Sequence, residues 1–478
     1  MTTEEKSIQH HDIFTLRLEV RDVTGKLGDL LAHISHAGGL VQSVDLIRVK
    51  GGTITRDLTV RATEEQHFQK ILSAIHEVEG VRIINVSDHV TLAHLGGKIQ
   101  ITSKKPLKTR FDLSTMYTPG VAKISRAIFQ DPQKVFSLTI KGNTIAIVTD
   151  GTRVLGLGDI GPQAALPVME GKAQIFYEFA GIYAMPLCLA TTDPNEIVQT
   201  IKNISPAFGG INLEDIESPK CFEIMERLKK ELDIPVFHDD QDGTAISVRS
   251  GLVNALKLVG KQFSDIRVVV NGVGAAGTAT TKLLLVSGVK NIIGCDRNGI
   301  LYEGRREHTN PWKDWYAAHT NPEKRKGTVS DALKGADVFI GLSGPGAVTK
   351  NDIKKMEKDP IVFLLANPTP EIMPEEIRDI ARIIATGRSD YPNQINNALV
   401  FPGLFRGTLD CRAKEINDEM KLAASEAIAN IIPKRELREE YIVPSIFDKR
   451  VVKNVARAVM NAAHRTSVAQ RKEKPPHY

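Results

Sequence analysis

The chain has 478 residues, 42% of them hydrophobic and 25% charged, an ordinary globular composition on a chain too long for one core, so about two to four domains are expected. Its longest apolar runs, such as Pro360 to Ala366, fall far short of a bilayer span, and its first residues, MTTEEKSIQHH, lack the apolar stretch of a secretory signal; a cytoplasmic protein without a membrane partner is expected. The net charge of +5 is spread among acids except in the tail from Arg471 to Lys474, which is no nucleic-acid footprint and suits, at most, small anions.

Residues 13–90 read as a self-contained β-α-β-β-α-β unit of the ferredoxin-like type. Phe14 to Val20 alternates like a half-buried strand, and Leu27 to His36 has helical spacing and ends at Gly38-Gly39. Leu40 to Val49 and Thr53 to Val60 alternate around a Gly51-Gly52 turn. Phe68 to Val78 is helical, and Val81 to Val86 closes the unit. The segment Asp22-Val-Thr-Gly-Lys-Leu27, between first strand and first helix, resembles the ligand loop of an ACT domain. That resemblance implies pairing and a small effector; a plain dimerisation module is the competing reading.

Residues 91–112 read as a linker, and residues up to about 238 mix helix and strand. From there to residue 403, helices alternate with the short apolar strands Ile266–Val270, Asn291–Cys295, Val338–Gly341, Ile361–Leu365 and Ile383–Thr386. That rhythm predicts a doubly wound parallel sheet. The remainder is mostly amphipathic helix, from Met420 to Ile431 and from Val451 to Ala463. The expected domains are therefore 1–95, 96–238, 239–403 and 404–478. Four widely spaced cysteines (Cys188, Cys221, Cys295, Cys411) have neither metal-site nor redox-motif spacing and read as reduced thiols.

Five segments carry chemistry. In Gly272-Val273-Gly274-Ala275-Ala276-Gly277 the glycines follow a strand, open a helix and precede Asp296 by about 20 residues. Backbone amides there suit a pyrophosphate, and Asp296 suits a ribose 2′-hydroxyl, favouring NAD over NADP unless Arg297 offsets it. Glu214-Asp215 and Asp239-Asp240-Gln-Asp242 crowd five carboxylates at two strand ends. Such crowding calls for Mg²⁺ or Mn²⁺, while helix capping by Asp215 and Asp242 accounts for the same residues equally well. His238 reads as structural. Tyr117 stands beside a Pro119-Gly120 turn, a common packing position. Arg153 could clamp a carboxylate. Lys172 lies among apolar residues, where burial would lower its pKa toward that of a base. Asn367, Asn396 and Asn397 follow strands of the nucleotide domain and suit a hydroxy acid or carboxamide, or plain turns.

In this order, YTPGVA, TDGTRVLGLGDIG, VMEGKA, NLEDI, HDDQDGTA, GVGAAG, ANPTPE and INNALVFPG resemble the malic enzymes over roughly residues 105 to 465, most closely the short bacterial type. The resemblance implies NAD- or NADP-linked oxidative decarboxylation of malate to pyruvate in a homodimer or larger oligomer. It further implies Tyr117 as general acid, Lys172 as general base and Asp239 as its supporting carboxylate. Glu214, Asp215 and Asp240 match the metal ligands, residues 273–276 the pyrophosphate loop, and Asn367 and Asn397 the malate contacts, with Asn396 toward the cofactor. The chain departs from the short type at Asp242, where His is common, and at Arg153, where a small residue is common. A malolactic enzyme, an ACT-regulated amino-acid dehydrogenase and a catalytically dead sensor are the competing readings.

Overall fold

The computed structural model describes residues 12–471 apart from Glu64. The chain divides into two compact units, Met1–Gln100 and Ile101–Tyr478.

The first unit holds strands β1 (Asp12–Arg21), β2 (Leu40–Lys50), β3 (Thr53–Ala62) and β4 (Val81–Asp88), with helices Lys26–His36 and Glu65–His76. The sheet is antiparallel in the order β2-β3-β1-β4, the expected split β-α-β arrangement. Alternation in β1 sends Phe14, Leu16, Leu18 and Val20 to one face. There they meet Leu30 and Ile34 of the first helix and Phe68, Ile71 and Ile75 of the second. Gly51 and Gly52 both have positive φ, +60° and +77°, a backbone that glycine adopts without the Cβ clash other residues meet. The second helix stops at His76, short of Val78, and the expected linker contains a further helix, His89–His94.

The second unit carries two sheets. Strands β5 (Thr144–Thr149), β6 (Tyr183–Cys188), β7 (Gly210–Leu213) and β8 (Val236–His238) pair in parallel in the order β6-β5-β7-β8. Strands β9 (Arg267–Asn271), β10 (Asn291–Asp296), β11 (Gly299–Ile300), β12 (Val338–Gly341), β13 (Ile361–Leu364) and β14 (Ile383–Thr386) form a sheet ordered β11-β10-β9-β12-β13-β14. All its pairings are parallel except that of the short β11. The chain runs outward from β9 to β10 and returns to β12, so a topological switch point, where open α/β sheets bind ligands, lies beyond β9 and β12. Helices Phe401–Asp410, Asp418–Ala429 and Arg450–Arg465 pack behind. Gly407 is needed there, because a Cβ would come within 2.3 Å of the Ala456 carbonyl. Ile147, Phe237, Val270, Phe405 and Val455 belong to one continuous core cluster, so both sheets pack one face into an interior shared with the C-terminal helices, and further clusters cover their other faces. No helix among the described residues is long and apolar enough to cross a membrane.

Candidate active site

Two of the segments expected to carry the chemistry leave the carboxyl ends of neighbouring parallel strands. Glu214 and Asp215 follow β7; Asp239 and Asp240 follow β8. Asp215 has φ +53°, a left-handed backbone that is uncommon outside glycine and concentrates at functional sites. Its amide donates to Asp240 Oδ2 at 2.9 Å, and its carbonyl accepts from the Arg153 amide at 3.0 Å. Residues Asp239–Gly243 form one wide turn in which the Thr244 amide reaches back to the Asp239 carbonyl, an arrangement frequent at functional sites. Neither capping reading holds, since the residues at the two helix N-caps are Pro219 and Gly243.

Carboxylate oxygens of Glu214, Asp215 and Asp240 lie within 4.8 Å of one another. Asp215 Oδ2 is buried without a hydrogen-bond partner. Burial pushes the Glu214 carboxyl well above its usual range despite the pull of Lys172, and burial with the adjacent Asp240 brings Asp215 to about 7. Three hard oxygen donors with only Lys172 to offset their charge, and an orphaned buried oxygen, fit a small divalent cation.

Lys172, on helix Gly161–Ala180, is 8% exposed. Its Nζ donates to Glu214 Oε2 and to Asp239 Oδ2, both at 2.5 Å, and lies 4.6 Å from the Phe401 ring centroid. This corrects the expectation of a lowered pKa. Burial does act to lower it, but the two carboxylates outweigh burial and hold the ammonium form. Asn397 steadies the arrangement by donating to Asp239 Oδ2 at 3.1 Å and to the Asp239 carbonyl at 3.2 Å. Gly243 is required beside them, as a Cβ would meet Asp239 Oδ1 at 2.1 Å.

The glycine segment sits at the switch point. Gly272 has φ +107°, and a Cβ on it would come within 2.4 Å of the Leu342 carbonyl. A Cβ on Gly277 would meet the Gly272 carbonyl at 1.9 Å, whereas Gly274 faces open space. Helix Ala275–Val286 begins with no side chain capping its first amides, so Ala275 and Ala276 open a helix end that fits a dinucleotide pyrophosphate. Val273 turns its side chain into the core with Leu301 and Tyr316, leaving only its backbone for a ligand.

Other expected residues stand elsewhere or are already engaged. Tyr117 is 65% exposed at the end of helix Arg110–Met116, and no hydrogen bond among the described residues joins it to Lys172. The Arg153 side chain is exposed. Asn396 accepts from the Ala398 amide at 2.9 Å as a turn cap. Asn367 lies against Gly156 and Gly387, where added Cβ atoms would meet it at 2.9 and 2.8 Å. Asp296 is paired with two cations: Lys313 Nζ at 2.7 Å and Arg305 Nη2 at 3.0 Å compensate its charge. Arg297, the neighbour that left the cofactor choice open, makes no ion pair with Asp296 among the described residues.

Three participants were missed. Lys220 pairs with buried Asp150 at 2.8 Å, anchoring the loop that carries Arg153. Glu371 is fully buried and accepts from the Ser343 and Ala366 amides, tying the ends of β12 and β13 together. Lys421 pairs with Asp242 at 2.9 Å, so the departure at Asp242 adds no unpaired charge near the cluster. Glu371 was visible in ANPTPE as an acid in an apolar setting; the lysine partners come from distant helices and leave no local pattern.

Residues 96–229 match the malic enzyme N-terminal domain, and residues 241–464 the malic enzyme NAD binding domain. The chain is 56% identical over 461 residues to an NAD-dependent malic enzyme of Geobacillus stearothermophilus, covering 96% of each. It is 55% identical over 375 residues to a bifunctional malic/malolactic enzyme of Bacillus subtilis, covering 78% of this chain and 92% of that one. The solved structure of an NAD-dependent malic enzyme from Thermotoga maritima superposes with a TM-score of 0.76 at 48% identity, covering 78% and 99% of the two chains. Identity at this level along almost the whole length admits one assignment: the chain belongs to the malic enzyme family.

Proposed function

We propose that the protein oxidatively decarboxylates (S)-malate to pyruvate and CO₂ with reduction of NAD. The observation that carries this reading is Lys172, clamped between Glu214 and Asp239 beside a three-carboxylate cluster. Glu214, Asp215 and Asp240 would hold Mg²⁺ or Mn²⁺, and the glycine segment with Asp296 would hold the dinucleotide. When bound, these groups supply a Lewis acid at the substrate oxygens and a hydride acceptor.

The chain's own residues manage the protons and the substrate. Neutralisation of Glu214 removes one of the two anions that keep Lys172 protonated, and its pKa falls toward that of a usable base. Lys172 then accepts the C2-hydroxyl proton of malate, while Asp239, held by Asn397, keeps Nζ aimed and its charge balanced. Asn397 and Asn367 orient the substrate, and the exposed Arg153 meets a carboxylate. Tyr117 donates the proton to C3 of enolpyruvate. Residues 96–238 serve as the substrate domain, 239–403 as the nucleotide domain and 404–478 as their helical support.

The N-terminal unit takes the ACT role and binds a small effector around the loop from Asp22 to Leu27. Leu46, Ile47 and Val49 on β2 and Ile84 and Val86 on β4 are exposed, which supports pairing of this unit between copies.

The test is malate-dependent reduction of NAD and NADP, with Mn²⁺, Mg²⁺ or EDTA, while pyruvate and lactate are assayed. Metal-dependent NADH matched by pyruvate is expected. Lactate without net NADH would establish the malolactic reading, which the Bacillus subtilis relative keeps open. EDTA-insensitive turnover would overturn the assignment of the carboxylates.

A further inference from the structure

A cavity of about 200 Å³ opens between helices Lys220–Glu231, Ala275–Val286 and Asp418–Ala429, beside the Asp239–Gly243 turn. None of the residues assigned above to catalysis, the cation or the dinucleotide lines it. Its polar groups are unevenly matched. Lys421 is satisfied by Asp242 at 2.9 Å and Asp418 at 3.2 Å. Lys229 has, among the described residues, a single ion pair, with the same Asp242 at 3.9 Å, beyond hydrogen-bond reach. Lys282 makes no ion pair among the described residues and rests over the rings of Trp312 and Trp315, at 5.5 and 4.7 Å. Burial lowers the pKa of both Lys229 and Lys282, against the opposing pull of Asp242 on the first and Glu226 on the second.

Gln241 supplies the independent sign. It is 8% exposed and lines the same cavity, yet its Nε2 has no hydrogen-bond partner. Buried amide donors are nearly always satisfied, so an acceptor is missing from this space. Glu226 also lines it but makes no hydrogen bond to Gln241 or Lys282 among the described residues. The Lys229 side chain is 31% exposed, leaving an entry from solvent.

We propose that this cavity is a binding site for a small oxyanion, a carboxylate or a phosphate, held by Lys229, Lys282 and the Gln241 amide. The space accommodates the volume of roughly six or seven liquid waters, and so a ligand of about ten non-hydrogen atoms at most. Gln241 is adjacent to Asp240 on one turn, so occupancy is transmitted to the carboxylate cluster through a single backbone segment. The proposal is independent of the chemistry at Lys172.

The chain's two tryptophans are the residues under Lys282, so intrinsic fluorescence reports the site directly. The full-length protein is titrated without divalent metal with inorganic phosphate and, separately, with succinate, against sodium chloride at matched ionic strength. A saturable change is expected with one oxyanion and not with chloride. Saturation by phosphate alone identifies a phosphate ligand, and saturation by succinate alone a carboxylate. Lys282→Met and Lys229→Met should each weaken binding at least tenfold, and Lys282→Arg should retain it. Calorimetry of the same titrations serves if Lys282→Met alters the fluorescence baseline or fails to fold, with Lys229→Met as the second variant. Absence of saturation by either anion, a response matched by chloride, or equal affinity in both methionine variants would overturn the site.

Discussion

At the scale of single residues, the chemistry rests on charges held in unusual states. Lys172→Ala removes the proposed proton acceptor and leaves Glu214 and Asp239 in a buried space without the ammonium that bridges them. Malate oxidation should fall by about 10²–10⁴-fold, the range of general acid–base catalysis, and steady-state kinetics would check it; retained turnover would exclude Lys172 as base. Tyr117→Phe should slow decarboxylation of added oxaloacetate by about 10²-fold or more while leaving malate binding unchanged. A wild-type rate would remove Tyr117 from the reaction, an outcome its 65% exposure makes informative. Asp215 sets a pH dependence whose sign follows from its folded pKa of about 7 against an ordinary 3.8. The unfolded chain releases this proton first, so the metal-free protein loses stability as pH rises from about 4 to 7. A cation that needs the ionised carboxylates reverses the loss. The rise in Tm on adding Mn²⁺ should therefore be larger at pH 8 than at pH 6, and thermal melts with and without Mn²⁺ would read it. An equal rise at both pH values would mean that these carboxylates do not hold the ion.

At the scale of elements, most of the architecture was legible because burial leaves a period in the sequence. Alternation in β1 and helical spacing from Phe68 gave the N-terminal unit, and the runs Val268–Val270 of β9, Val338–Ile340 of β12 and Ile361–Leu364 of β13 are continuously apolar because both faces are covered. The glycine motif was legible for a related reason, since its residues answer to local sterics. Gly277→Ala would set a Cβ 1.9 Å from the Gly272 carbonyl, forcing the turn open. NAD affinity should drop at least tenfold, read as KM for NAD and by direct titration, and an unchanged KM would dissociate this loop from the cofactor. The Asp239–Gly243 turn was not legible, because one wide turn has no repeat for a sequence to display. The same holds for ion pairs between remote elements. Asp242 meets Lys421, and Asp296 meets Arg305 and Lys313, so an acid that looked like a bare charge or a free selector is compensated by partners that topology alone supplies. The direction of the Lys172 shift was misread for this reason: its apolar sequence neighbours said burial, and the two carboxylates that together outweigh it come from the ends of β7 and β8.

At the scale of the whole molecule, the surface of residues 110–140 is out of keeping with a solitary chain. The helices Arg110–Met116, Val121–Gln130 and Val135–Leu138 contain no buried residue. Phe129 is 88% exposed, Phe111 77% and Ile140 55%, with Leu113, Met116 and Leu138 between 43% and 50%. Isolated apolar residues on a surface are normal, but a run of this size on consecutive helices is the kind of surface through which chains associate. The charged residues among them, such as Lys123 and Arg126, do not break the run, because on Val121–Gln130 the apolar residues fall on one side. We therefore expect the protein to self-associate through this segment. Burying one phenylalanine contributes about 1.5–3 kcal/mol, and a glutamate in its place must also give up its hydration. The double variant Phe111→Glu/Phe129→Glu should lower the oligomer mass measured by light scattering and weaken association by at least a hundredfold, with the far-ultraviolet circular dichroism of the native chain retained. Tyr117 lies within the same exposed segment, so malate turnover of the dissociated variant carries a second result. Activity that falls with dissociation and recovers at high protein concentration would place this segment's contribution to the site under the control of assembly. Full activity in a monomer would show that residues 110–140 associate for stability alone.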